Sequence, residues 1–163
     1  MKAAEQECVN EGLGICLEYG IGVEENEAEA LKYYLKASED GYSRAMYNAG
    51  RCYYHGYGIK ENLNEAFRWF NDAANYEMIP AIYYRGKMLL DGEGCTQNME
   101  EGIADLTKAA ESDYANAQYA LANCYLVGKG VEPDEDKAME LFELAAENGH
   151  QDAAKVTGRR RRR

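Results

Sequence analysis

The chain has 163 residues, 46% apolar and 29% charged, which suits one compact unit or a short repeat array and is too apolar for wholesale disorder. Two prolines beside an excess of alanine favour helices, and no apolar run approaches the roughly 20 residues that cross a bilayer. The net charge of −11 combines −16 over residues 1–158 with five consecutive arginines, Arg159–Arg163, so the body repels polyanions and disfavours nucleic acid as its main ligand.

At the amino terminus the run from Met1 to Glu7 lacks the apolar segment of a signal peptide. Five cysteines are too few for a disulfide framework, and the odd count leaves a thiol over. Both features predict a protein of the reducing cytoplasm.

One period organises everything that follows. Gly20, Gly56, Gly92 and Gly128 lie 36 residues apart, and Gly22, Gly58, Gly94 and Gly130 keep step with them. Ala37, Ala73, Ala109 and Ala145 share the spacing, as do Ala45, Ala81, Ala117 and Ala153. The chain is therefore a tandem array over 1–158, with repeats at approximately 9–44, 45–80, 81–116 and 117–152, a partial fifth over 153–158, and the arginine tail at 159–163.

Each repeat reads as two antiparallel helices joined at Gly-x-Gly. In the second, Ala45, Ala49, Cys52 and Tyr53 fall on one face of a helix over about 43–55. Gly56 caps it, because glycine takes the left-handed conformation that ends helices. Ile59, with Val23, Cys95 and Val131 in its slot, is expected to tuck the turn against the pair. Asn26, Asn62, Asn98 and Asp134 then start the second helices as N-caps, and Glu29, Glu65 and Glu101 three residues on predict a reciprocal capping box, with Lys137 departing from it. Ala66, Phe70, Ala73 and Ala74 form the second helix's apolar face. A single pair cannot bury such faces, so repeats must stack.

The third repeat departs from the pattern. Arg85 stands in the slot of Leu13, Ala49 and Leu121, Gly102 in that of an alanine, and Asp105 in that of Tyr33, Trp69 and Leu141. Burying these charges is costly unless they pair, so this repeat is expected to be the loosest, or its charges to snorkel to water. At the end, Ala153 to Gly158 restarts the first-helix pattern before the arginines; Gln151 and Asp152 suit a solvated terminal helix.

Residues with chemical potential have bland readings close by. Cys16, Cys52 and Cys124 share a slot with Met88, which marks it as apolar core. Cys8 and Cys16 lie about 12 Å apart along a helix, too far to bridge. Cys52-x-x-His55 lacks the further ligands of a zinc site, since His150 is the only other histidine, and nothing supplies the third group and oxyanion hole of a catalytic pair. The Gly-x-Gly turns lack the third glycine and preceding strand of a dinucleotide site. No catalytic residue, metal site or cofactor is expected.

The surface is more informative. Tyr47, Tyr83 and Tyr119 share one slot of the first helix, Arg51, Lys87 and Asn123 lie one turn on, and Tyr54, Leu90 and Leu126 extend the face. This ladder is either a docking face, for which tyrosine and arginine are suited, or packing between repeats. The arginine run is either a solvated end or a tether for phosphates and anionic headgroups.

The string Ala45-x-x-x-Ala49-Gly50-x-x-Tyr53-x-x-Gly56-x-Gly58-Ile59, followed by Ala66-x-x-Trp69-Phe70-x-x-Ala73-Ala74, closely resembles the Sel-1-like repeat, and the likeness runs from about Val9 to Gly158. The resemblance implies an all-α, right-handed α-solenoid of stacked antiparallel helix pairs, related to the tetratricopeptide repeats. It also implies a non-enzymatic scaffold or adaptor that holds a peptide or protein partner in a concave groove; the chain itself is expected to be a monomer. By analogy with tetratricopeptide arrays, Tyr47, Arg51, Tyr54, Tyr83, Lys87, Tyr119 and Asn123 match groove positions, with Arg51 and Lys87 pairing partner carboxylates. Some cysteine-rich relatives are associated with penicillin binding or hydrolysis, so a β-lactamase-type hydrolase is the alternative function that the resemblance carries.

Overall fold

A computed structural model describes the backbone of residues 2–160 and the side chains of residues 9–158. Among the described residues there are nine α-helices and no strand: α1 Lys2–Tyr19, α2 Glu27–Glu39, α3 Ser43–His55, α4 Leu63–Asn75, α5 Ile79–Asp91, α6 Met99–Glu111, α7 Ala115–Val127, α8 Glu135–Glu147 and α9 Gln151–Arg160. The chain divides into two compact units, residues 1–81 and 82–163.

In the first unit α2 packs on α1 and α3, and α3 on α4. Its core is Ala30, Leu31, Tyr34, Ala49 and Cys52, flanked by Ile15, Leu17, Tyr53 and Trp69. Gly50 lets α3 approach α4 closely, for a Cβ there would lie 2.7 Å from the Phe70 ring. In the second unit α7 packs on α6 and α8, and α8 on α9. Ala122, Ala138, Phe142, Ala145 and Ala153 form a core there, with Tyr119, Tyr125 and Val156 against it. Ala153 is fully buried, so α9 is a packed helix.

Backbone chemistry explains the uniform hairpins. Gly56 caps α3 in the left-handed conformation (φ 77°, ψ 28°), its N–H donating to the Cys52 carbonyl, and Gly128 does the same for α7. The side chains of Asn26, Asn62, Asn98 and Asp134 accept from the backbone N–H groups of Glu29, Glu65, Glu101 and Lys137. The other half of the expected capping box does not form. The N-cap backbone N–H groups of Asn26, Asn62, Asn98 and Asp134 donate instead to the carbonyls of Leu17, Tyr53, Leu89 and Tyr125, at 2.8–2.9 Å. That bond ties each second helix to the end of the first and leaves the glutamates no donor there; Glu29 and Glu101 accept from the asparagine side-chain amides instead.

Those bonds also correct the expected apolar tuck of the turn. Val23 and Ile59 are exposed, and Cys95 and Val131 are half-buried; the turn is held by hydrogen bonds rather than by burial. The second glycine of Gly-x-Gly has its own task. A Cβ on Gly58 (φ 65°) would lie 2.3 Å from the Ala28 nitrogen, because the α3–α4 turn presses on the start of α2, where Gly58 N–H also donates to Glu27 at 2.9 Å.

The third repeat is neither loose nor solvated at its charges. Arg85 donates to both carboxylate oxygens of Asp105 at 2.7 Å, and the two side chains are only 16% and 8% exposed. Each supplies the other's counter-charge, and a bidentate pair meets the condition under which burial is tolerable. The glycines tighten the same hairpin: a Cβ on Gly102 would meet Leu90 at 2.8 Å and the Gly86 carbonyl at 2.9 Å.

Candidate functional site

The expected ladder falls on first helices of both units. In the first unit Tyr47, Arg51 and Tyr54 of α3 are all half-buried. The rings of Tyr47 and Tyr54 each tilt against Phe70, with ring centroids 6.0 and 6.1 Å away. These tyrosines are therefore partly core and partly surface.

Arg51 is already engaged. Its guanidinium donates to Glu18 at 3.0 Å and lies over the rings of Tyr47 and Tyr57, and it is only 20% exposed. Glu18 also accepts from the Tyr34 hydroxyl, and Glu11 pairs with Arg44. Burial and the Glu18 carboxylate push the Tyr34 hydroxyl far above the usual tyrosine range. The sequence reading missed Glu18; its signal was a carboxylate in the slot held by Tyr54, Leu90 and Leu126.

In the second unit Tyr83 and Lys87 of α5 and Tyr119 and Asn123 of α7 line one cavity of about 300 Å³, floored by Leu90, Leu106 and Cys124. Tyr83 meets Tyr114 edge-on at 5.4 Å. Tyr119 packs on Phe142 and stacks on His150 at 4.1 Å; His150 Nδ1 in turn accepts the first-turn amide of Ala153. The Lys87 ammonium sits over the Tyr83 ring. Lys129, which pairs with Asp91, and Val127, which is 70% exposed, also line the cavity.

The thiols of Cys52, Cys95 and Cys124 are poor nucleophiles. Cys52 is 2% exposed, and burial, with Glu18 adding to it, pushes its pKa up to about 12. Burial raises Cys95 and Cys124 as well. A reactive cysteine needs the opposite shift. Neighbouring His55 is exposed and packs against the rings of Tyr54 and Tyr57. The side chains of the tail Arg159–Arg163, and of Cys8, lie outside the described residues. No described helix is long and apolar enough to cross a membrane.

Comparison with known proteins places this geometry. The Sel1 repeat model matches residues 11–42, 43–75, 79–114 and 115–150. A Sel1 repeat protein from Oxalobacter formigenes is 28% identical, with a TM-score of 0.86 over 94% of this chain and 62% of that one. The protective antigen c5321 of uropathogenic Escherichia coli, described as an SLR fold, is also 28% identical, with a TM-score of 0.80 over 93% of this chain and 33% of that one. Cysteine rich protein B of Helicobacter pylori shares the fold at 20% identity and a TM-score of 0.61, over 81% of this chain and 95% of that one. The chain thus spans 62% and 33% of the length of the two more similar structures. No curated protein matches its sequence. Four matched repeats, regular helical hairpins and these neighbours make the chain a member of the Sel1 repeat family.

Proposed function

We propose that this chain is a non-enzymatic protein-interaction scaffold, the general role of Sel1 repeat proteins, acting as a monomer in the cytoplasm. Its docking face comprises Tyr83, Lys87, Tyr119 and Asn123 in the second unit, with Tyr47 and Tyr54 offering aromatic contact in the first. The observation that carries this reading is the open cavity of the second unit, which gathers four ladder residues around an apolar floor. Half-buried tyrosines held by core rings give contact area at low ordering cost. Arg51 stabilises the face from within through Glu18, leaving Lys87 as the cation presented to a partner's carboxylate.

The test is capture of protein partners by the intact chain and by the Tyr83→Ala/Lys87→Ala variant. The scaffold reading expects partner recovery to fall at least tenfold while the melting temperature stays within a few degrees. Equal recovery, or loss of recovery only together with loss of folding, contradicts it.

A further inference from the structure

The recess of the second unit has a twin in the first. Ile15, Glu18, Tyr34, Asn48 and Arg51 line a recess of about 280 Å³. Two repeats further along the sequence, the same slots hold Lys87, Leu90, Leu106, Ala120 and Asn123, all of which line the larger cavity. The frame is repeated and the lining is changed.

In the first recess Glu18 neutralises Arg51 and accepts from Tyr34, so these lining groups are satisfied within the protein. In the second, leucines replace both Glu18 and Tyr34, and both are buried, which turns the floor apolar. The cation has moved across to Lys87, in the slot of Ile15. Among the described residues no carboxylate pairs with Lys87; its neighbour is the Tyr83 ring, 5.9 Å away. Exposed Leu126 and Val127 extend the apolar surface along the end of α7. An apolar recess beside an unpaired cation complements a ligand with one greasy group and one negative one. At about 300 Å³ it lies at the lower limit for a whole small-molecule site, a size suited to a side chain.

We infer that the α5–α7 recess is the specificity pocket of the docking face: it takes one bulky aliphatic or aromatic side chain of a partner peptide while a neighbouring Asp or Glu pairs with Lys87. This rests on the scaffold reading above. In the first unit Arg51 is already paired with Glu18, whose carboxylate stands in the slot of Leu90 and disfavours the same ligand.

The experiment selects twelve-residue peptides from a phage-displayed random library on the intact chain and measures their affinity by fluorescence anisotropy. Enriched peptides are expected to share a large apolar residue next to Asp or Glu. Changing that acid to its amide should weaken binding at least tenfold to the parent chain and less than twofold to Lys87→Met. Leu90→Glu should abolish binding; since Leu90 is buried, Val127→Glu, at a site 70% exposed, repeats the test outside the core and should weaken binding at least tenfold. Peptides that bind but are basic, lack an apolar anchor, or ignore both Lys87→Met and Val127→Glu overturn the pocket and leave the scaffold standing. Failure to enrich any peptide overturns the pocket and the peptide-docking reading with it.

Discussion

Between α1 and α3 in the first unit, and between α5 and α7 in the second, the same slots of the repeat build a recess with opposite chemistry. The first is lined by Glu18, Arg51 and Tyr34, which pair with one another, and the second is floored by Leu90 and Leu106. The hairpin interior reverses this order. In the second unit the slots of Arg85 and Asp105 carry a buried ion pair, whereas in the first they hold Leu13 with Tyr33 and Ala49 with Trp69. A repeat fixes the backbone frame, and a few substitutions at fixed slots decide whether a surface is satisfied internally or left for another chain.

The largest expected effect breaks the second unit's ion pair. Arg85→Ala strands the Asp105 carboxylate in a nearly buried site and should cost about 3 kcal/mol or more in urea melts. Arg85→Leu/Asp105→Leu, which copies the fourth repeat, should come within about 1 kcal/mol of the parent, since an apolar replacement of a buried pair is often neutral. Equal destabilisation by both variants would show that the pair does more than neutralise itself.

Turn glycines give the next contrast. Gly58→Ala drives a Cβ into the backbone of Ala28 and Glu27, whereas Gly130→Ala meets the flexible Ile103 side chain at 3.0 Å and Gly22→Ala meets nothing within 4 Å. All three share left-handed strain of roughly 1–2 kcal/mol. Calorimetry should therefore rank the losses Gly58, then Gly130, then Gly22, with Gly58→Ala exceeding Gly22→Ala by about 2 kcal/mol.

A smaller effect sharpens the electrostatic difference. The Cys52 thiol has its pKa pushed from about 9 to about 12, while Lys129 partly opposes the rise at Cys124. A raised thiol pKa favours the neutral form in the folded state. The stability from Cys52 is thus full below about pH 9 and lost as pH rises toward about 12. Urea melts from pH 8 to 11 should decline less for Cys52→Ala than for the parent. Alkylation at pH 8.5, followed by peptide mass spectrometry, should label Cys124 faster than Cys52.

Much of the fold was legible in the sequence because it is written in local chemistry: glycines at helix ends, Asn or Asp at helix starts, and small residues where helices cross. The bounds 43–55 expected for a helix coincide with α3. What escaped was pairing between helices. Nothing in the spacing of Arg85 and Asp105 tells that both lie on facing sides of one hairpin, so isolated cost suggested looseness where the pair gives closure. Arg51 was read as a partner-facing cation for the same reason: its neutraliser, Glu18, lies 33 residues away. The Ile59 slot misled differently, because an apolar residue in a turn suggested burial where backbone hydrogen bonds already hold the loop.

The most direct measurement exchanges the two recesses. Ile15→Lys/Glu18→Leu/Arg51→Asn gives the first recess the second's lining at three slots, and calorimetric titration with a selected acidic–apolar peptide counts the sites. The account predicts one peptide per parent chain and two per variant chain. Two sites in the parent, or one in a variant that remains folded, would contradict the claim that lining residues on a common frame decide where a partner docks.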